Sequence, residues 1–139
     1  MDVTLIFLPA LAMAMLTIAV MLRMLAIRVG EMKRERIHPQ AVATSAQATA
    51  RFGDTRAADN FRNLFELPVL FYVALLFAAQ MGQVTTTMLT LAWLFVALRT
   101  AHSYIHCTYN KVMHRFKVYL ASGVVLLSLW AYLAVCLFW

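Results

Sequence analysis

Residues 64–81 read LFELPVLFYVALLFAAQM, a nearly unbroken apolar run that contains one carboxylate, Glu66, and one proline, Pro68. A run of this length is close to what a helix needs to cross the ~30 Å hydrocarbon core of a bilayer. Three further apolar runs lie at residues 3–22, 84–98 and 118–139. None of the four alternates between apolar and polar residues as a β-strand does, so all four are predicted to be membrane-spanning helices.

The composition also predicts an integral membrane protein rather than a soluble domain. Hydrophobic residues make up 63% of the 139 residues and charged residues only 13%, whereas soluble domains carry about half and about a quarter. Two cysteines are too few for a disulfide framework. The sequence therefore predicts one all-α, four-helix membrane domain over residues 1–139, with spans at about 3–28, 56–81, 84–108 and 115–138.

The basic residues predict how the chain is oriented in the membrane. All twelve Lys and Arg lie in or beside two connections, one between the first and second spans and one between the third and fourth. By the positive-inside rule, both connections face the cytoplasm and both termini lie outside. Because every basic residue sits at a membrane boundary, the net charge of +6 is interpreted as a topology signal and a contact for anionic membrane lipids. No nucleic-acid partner is expected.

Two of the predicted spans carry polar residues at helical spacing, which places the residues of each span along one helix face. These residues are Arg56, Asp59, Asn63 and Glu66 in the second span, and Arg99, His102 and His106 in the third. Placing an ionisable side chain inside a membrane span costs several kcal/mol of free energy unless the side chain is paired or hydrated. Each of these residues is therefore a candidate functional residue.

A hairpin of these two spans that turns near Gly82 would bring the polar residues to matching depths. The matching pairs are Glu66 with Arg99, Asn63 with His102, and Asp59 with His106. We expect a ladder of charge-assisted contacts, led by a direct ion pair between Glu66 and Arg99. The alternative is that these contacts only hold the two helices together and bind no ligand.

The motifs in these two spans resemble those of the MAPEG family, the membrane-associated proteins in eicosanoid and glutathione metabolism. The second span carries N-x-x-E-x-P within DNFRNLFELPVLFY, and the third carries R-x-x-H within RTAHSYIH. The resemblance covers the whole chain in order and spacing and is strongest to bacterial members. It implies a location in the bacterial inner membrane, with a site on the cytoplasmic side.

Family membership implies a homotrimer of four-helix subunits that binds glutathione between helix one of one subunit and helix two of the next. The residues that match glutathione-binding positions, or supply a basic residue at the inner end of helix one, are Asn63, Glu66, Arg99, His102 and Arg28. Arg115 matches the arginine that activates the thiol. The implied activity is that of a glutathione-dependent transferase or peroxidase acting on hydrophobic small molecules.

Two positions depart from the pattern of glutathione-using members. Asp59 stands where those members carry an arginine, and His106 stands where they carry a tyrosine. Asp59 would repel an anionic tripeptide unless Arg56 or Arg62 offsets its charge. A second interpretation is therefore a protein without turnover that binds a lipid or a partner in the same cleft. A third and weaker interpretation is a metal-binding module on His102 and His106, which have the i, i+4 spacing of two ligands, but no metal site is predicted.

Overall fold

The computed structural model of the protein describes residues 2–138, and every regular element in that range is helical. The helices are α1 (Phe7–Arg34), α2 (Ser45–Arg51), α3 (Arg56–Asn63), α4 (Leu67–Gln80), α5 (Thr86–Cys107) and α6 (Val112–Phe138). Short 3-10 turns precede α1 at Val3–Ile6 and α2 at Pro39–Val42. Four stretches are long and apolar enough to cross a membrane, namely Val3–Arg34, Arg56–Gln80, Thr86–Cys107 and Val112–Phe138. The prediction of an all-α fold with four spans is confirmed.

The four spans form a bundle in which α5 is central. It packs along α6 and also contacts α1 and α3. In the core, the Phe71 ring of α4 stacks on the Phe95 ring of α5, with ring centroids 4.4 Å apart. The outer faces of α1 and α6 are apolar and exposed, as at Leu11 and Leu127. Exposed apolar faces of this extent suit a helix bundle that is surrounded by lipid.

The hairpin between α4 and α5 turns at residues 81–85, where Gly82 has a φ of +67°. A positive φ suits glycine because glycine has no Cβ to clash with the backbone. The turn therefore lies where the sequence predicted it.

The second span is broken between α3 and α4, where the sequence analysis expected a continuous helix. Pro68 lies in the first turn of α4 and has no N–H to offer the carbonyl of Leu64, with which its ring would clash in an uninterrupted helix. Glu66 takes a non-helical backbone conformation at the break and is exposed. The Glu66 side chain therefore points in a different direction from the one it would have in a continuous helix.

The connection between α1 and α3 is ordered by a single buried carboxylate. Glu31, near the end of α1, accepts hydrogen bonds from the backbone N–H of Gly53 at 2.8 Å and of Asp54 at 3.1 Å. Within the connection, Thr44 and Gln47 form a capping box that starts α2. The connection is thus held at the start of α2 and again at Gly53 and Asp54, just after α2 ends.

Two arginines bind the C-terminal end of α5, where helix carbonyls carry partial negative charge. Arg23 of α1 donates to the carbonyl of Cys107 at 2.9 Å, and Arg56 of α3 donates to the carbonyl of Thr108. Arg56 also pairs with Asp54, whose two carboxylate oxygens lie 2.9 and 2.8 Å from its nitrogens. The hydrogen bond from Arg56 lowers the pKa of the Asp54 carboxyl below its ordinary range.

We predict that Glu31→Ala lowers the free energy of unfolding by about 2 kcal/mol, because two hydrogen bonds to a buried carboxylate are lost. Chemical unfolding in detergent micelles measures the loss. Glu35→Ala is the matched control, since Glu35 pairs only with exposed Arg34 and its loss should cost less than about 0.5 kcal/mol. Equal losses in the two variants would contradict the role assigned to Glu31.

We also predict a pH dependence that originates at Asp54. Because its folded-state pKa is lowered, its stabilising contribution is complete above about pH 4 and is lost as the pH falls through the folded-state pKa. Thermal unfolding of the wild type and of Asp54→Asn, measured over this acidic range, should therefore converge at the lowest pH. A constant difference between the two proteins across the range would contradict the pairing with Arg56.

Candidate functional site

A cleft of about 200 Å³ opens between α3, α5 and α6. Its lining combines polar side chains from three helices with two apolar side chains from the start of α6. The lining residues are Asn63, His102, Val112, Arg115, Phe116 and Tyr119. The structure thus brings together Asn63, His102 and Arg115, three residues that the sequence singled out from separate spans.

Arg115, in the first turn of α6, is held by two uncharged acceptors. Its NH1 donates to His106 Nε2 at 2.9 Å and to Asn110 Oδ1 at 2.8 Å. Ion pairs within 4 Å in the described part of the chain join Arg34 to Glu35, Arg56 to Asp54 and Arg62 to Asp59. No carboxylate therefore neutralises Arg115 within residues 2–138, and its positive charge is available to a ligand in the cleft.

Asn63 connects His106 to Glu66. A carboxylate can only accept hydrogen bonds, so the Asn63 amide nitrogen faces Glu66, at 3.0 Å from Oε2 and 3.3 Å from Oε1. The other amide atom, the oxygen in this orientation, lies 3.5 Å from His106 Nδ1. The Tyr119 hydroxyl donates to Glu66 at 3.3 Å. A continuous hydrogen-bonded series thus leads from Arg115 through His106 and Asn63 to Glu66.

Arg99 lies beneath this cleft and is completely buried. Its NH2 donates to the backbone carbonyl of Asn63 at 2.9 Å, and its guanidinium carbon lies 5.5 Å from the centre of the Tyr119 ring. Its Nε and NH1 have no hydrogen-bond partner within residues 2–138. The buried charge is therefore stabilised by a carbonyl and an aromatic face rather than by a carboxylate.

The predicted direct ion pair between Glu66 and Arg99 is wrong. The two side chains do not come within 4 Å, since the ion pairs in the described range are three others. The reason is the break before Pro68, which directs the Glu66 carboxylate to Tyr119 of α6, while Arg99 binds the backbone at the end of α3. Matching depth does not ensure contact once one helix is interrupted.

The contacts between α3 and α5 are made mainly by uncharged groups. Asn60 Oδ1 accepts from the Ser103 hydroxyl at 3.4 Å, and its amide nitrogen lies 3.5 Å from Cys107 Sγ. Asp59, which was expected opposite His106, instead accepts from the Thr55 hydroxyl at 3.0 Å and lies 3.7 Å from Arg62. None of the three predicted side-chain pairs forms, since Asn63 lies beside His106 rather than His102.

The remaining predicted residues lie on the α1 side of the chain. Arg28 and Arg62 line a separate crevice between α1, α2 and α3. The Arg28 guanidinium lies 6.0 Å from the centre of the Phe52 ring, and Arg56 is held by Asp54. Within this chain, these three arginines do not line the cleft that contains Arg115.

No metal-binding set is formed in the described residues, because no three His, Cys, Asp or Glu side chains lie close enough together. His102 packs edge to face against His106, with ring centroids 5.6 Å apart. Since His106 Nε2 accepts from Arg115, the i, i+4 pair does not present two free nitrogens to a common ion.

Tyr119 and Asn110 belong to the site but were not identified from the sequence. Tyr119 follows Arg115 by four residues, so helical spacing from Arg115 could have located it. Asn110 has a φ of 48° in the turn between α5 and α6, a conformation that asparagine adopts more readily than most residues. Their signals are weak because tyrosine and asparagine are ordinary residues at a membrane boundary and in a turn.

We predict little coupling between Glu66→Gln and Arg99→Met in a double-mutant cycle of the free energy of unfolding. Because the side chains do not meet, the coupling should be below about 1 kcal/mol, against about 3–5 kcal/mol lost when a direct buried pair is broken. The comparison cycle combines Arg99→Met with Tyr119→Leu, and its coupling energy should be about 1–2 kcal/mol. Stronger coupling to Glu66 than to Tyr119 would contradict the observed geometry.

A comparison with models of known families identifies the family of this chain. The model of the MAPEG family matches residues 6–135, which is nearly the whole chain. No curated protein and no solved structure matches the chain. The structure has four helices that are long and apolar enough to cross a membrane, and Asn63, His102 and Arg115 line one cleft. The chain belongs to the MAPEG family.

Proposed function

We propose that the protein binds glutathione in the cleft between α3, α5 and α6 and activates its thiol for transfer to an apolar electrophile. In this proposal the protein is a homotrimer in a bacterial inner membrane, and the cleft faces the cytoplasm. Arg115 is the catalytic residue. The second substrate is a hydrophobic small molecule that enters from the lipid.

The observation that carries the proposal is the environment of Arg115. Its NH1 is occupied by His106 and Asn110, whereas its Nε and NH2 have no hydrogen-bond partner within residues 2–138. A guanidinium keeps its charge at any working pH. A nearby cation lowers the pKa of a thiol from about 8.5 by one to several units.

The polar groups around Arg115 suit a zwitterionic tripeptide. Glutathione presents two carboxylates, one ammonium and two peptide groups. The carboxylate of Glu66 can accept from N–H groups, and buried Arg99 supplies positive potential directly beneath Asn63 and Tyr119. Arg28 and Arg62 would then act from the neighbouring subunit, since within one subunit they line a different crevice.

The exposure of Glu66 supports a site between subunits. Glu66 is exposed, and Leu70, one helical turn further along, is an apolar residue that is 50% exposed. A carboxylate that faced lipid on such a surface would cost several kcal/mol. A second subunit over this face would enclose Glu66 together with a polar ligand.

The reaction joins the sulfur of glutathione to a carbon atom of the electrophile. The thiol proton leaves to water, the sulfur lone pair forms a bond to the electrophilic carbon, and the leaving group departs with the electron pair of its former bond. Arg115 acts on the first of these steps, because it stabilises negative charge on sulfur relative to the neutral thiol. The lipid supplies the apolar electrophile, so the cleft needs few specific contacts to it.

A second candidate function is the binding of a lipid or a partner protein without turnover. The pairing of Arg56 with Asp54 favours it, because it leaves Arg62 as the one of these two arginines that pairs with Asp59. The Arg62–Asp59 pair spans 3.7 Å and its side chains are 53% and 44% exposed, so it offsets the charge of Asp59 only weakly. Glutathione binding distinguishes the two functions.

We predict that titration of glutathione into the purified protein in detergent gives a calorimetric binding signal and the ultraviolet absorbance of a thiolate at pH 7. A free thiol with a pKa of about 8.5 is only about 3% ionised at pH 7. Arg115→Met should return the absorbance to that level and weaken binding only a few-fold. The lipid-binding function becomes the better one if the wild type gives no binding signal.

The matched control is Lys117→Met, which removes a cation two residues further along α6 that does not line the cleft. It should leave both the binding signal and the thiolate absorbance unchanged. Equal loss of absorbance in the two variants would mean that general positive charge, not Arg115, ionises the thiol.

A further inference from the structure

The guanidinium of Arg115 is anchored through one of its three nitrogens. NH1 carries two hydrogens, and it donates both, one to His106 Nε2 and one to Asn110 Oδ1. Two bonds on one terminal nitrogen fix the plane of the guanidinium. They leave the edge formed by Nε and NH2 without a partner within residues 2–138, and Arg115 lines the cleft.

This anchoring determines the protonation of His106. Arginine can only donate, so His106 Nε2 must carry a lone pair. The neutral ring then carries its proton on Nδ1, which faces the amide oxygen of Asn63. Asn63 is itself oriented by Glu66, because only its nitrogen can serve the carboxylate. Each group in this series has one orientation that satisfies its neighbours.

We infer that His106 is a positioning residue, and that its Nδ1–H tautomer holds Arg115 with the Nε–NH2 edge directed into the cleft. His106 is 2% exposed and does not line the cleft, so it acts through Arg115 rather than on the ligand. The effect on glutathione rests on the function proposed above. The tautomer and its cause are properties of the protein alone.

The series also gives Glu66 a role at a distance. Glu66 selects the orientation of the Asn63 amide, Asn63 selects the tautomer of His106, and His106 supplies one of the two acceptors that aim Arg115. The Tyr119 hydroxyl, which donates to Glu66 Oε2, fixes the carboxylate at the start of the series. Glu66 thereby contributes to the orientation of Arg115, although the two side chains do not touch.

The first test measures the tautomer by NMR on the full-length protein, labelled with ¹⁵N at histidine, in lipid nanodiscs without ligand. The chain has four histidines, and His106→Gln identifies the signal of His106 by removing it. We expect a protonated, pyrrole-type Nδ1 and a bare, pyridine-type Nε2. The Nε2–H tautomer or a doubly protonated ring would overturn the inference, because neither can accept from Arg115.

Variants of the two partners test what fixes the tautomer. Arg115→Met and Asn63→Leu should each produce a mixture of the two neutral forms, because each removes one of the two hydrogen bonds that select between them. Lys117→Met should leave the His106 signals unchanged. A pure Nδ1–H form in both partner variants would show that the series does not set the tautomer.

The second test measures the consequence for bound glutathione. For a bound thiol with a pKa of about 6.5, His106→Leu should reduce the thiolate absorbance at pH 7 about threefold, which corresponds to a rise of about one unit in that pKa. Binding by calorimetry should change much less. His106→Gln should restore most of the absorbance, since its amide oxygen can accept from Arg115 while its nitrogen donates to Asn63.

The two tests separate failure of this inference from failure of the proposed function. A wild type that binds no glutathione contradicts the proposed function, whereas the NMR result still decides how His106 holds Arg115. A wild type that ionises glutathione equally well with leucine at position 106 overturns the positioning role and leaves the proposed function intact.

Discussion

A proline in a membrane-spanning helix is the constraint on which the rest of this structure depends. Pro68 ends the hydrogen-bond ladder of the second span, and the hydrocarbon interior offers no water to satisfy the backbone groups that are released. In this protein, the buried guanidinium of Arg99 binds the carbonyl of Asn63 at the end of α3. The break directs Glu66 outward to Tyr119, and the ring of Tyr119 in turn covers Arg99. One interrupted helix thus accounts for the directions of the Glu66 and Arg99 side chains.

Helical spans and turns could be predicted from the sequence because apolar length and charge position are strong signals in a membrane. The hairpin turn at Gly82 lies where the sequence predicted it, and Asn63, His102 and Arg115 line one cleft. The Glu66–Arg99 pair could not be predicted correctly, because depth along a helix does not fix the direction of a side chain beyond a break. The contributions of Asn60, Ser103 and Asn110 carry no comparable signal, since uncharged polar residues are common in helices and turns.

The arginines differ in whether a carboxylate offsets their charge. On the α1 side, Arg56 and Arg62 pair with the carboxylates of Asp54 and Asp59. Around the cleft, Arg99 and Arg115 meet uncharged acceptors, and their charge is retained. Neutral partners fix the direction of a cation without cancelling its field, which is what an anion-stabilising site needs.

The buried Arg99 also constrains how the chain enters the membrane during synthesis. Inserted alone, α5 would carry an unpaired arginine and two histidines into lipid, at a cost of about 2.5–3.5 kcal/mol for the arginine if it lies near the middle of the bilayer. The turn that joins α4 to α5 is only residues 81–85, so both helices can reach the insertion machinery together. The Asn63 carbonyl is then already present when Arg99 leaves water. The contact between Arg99 and the Asn63 carbonyl therefore favours insertion of the hairpin as one unit over insertion helix by helix.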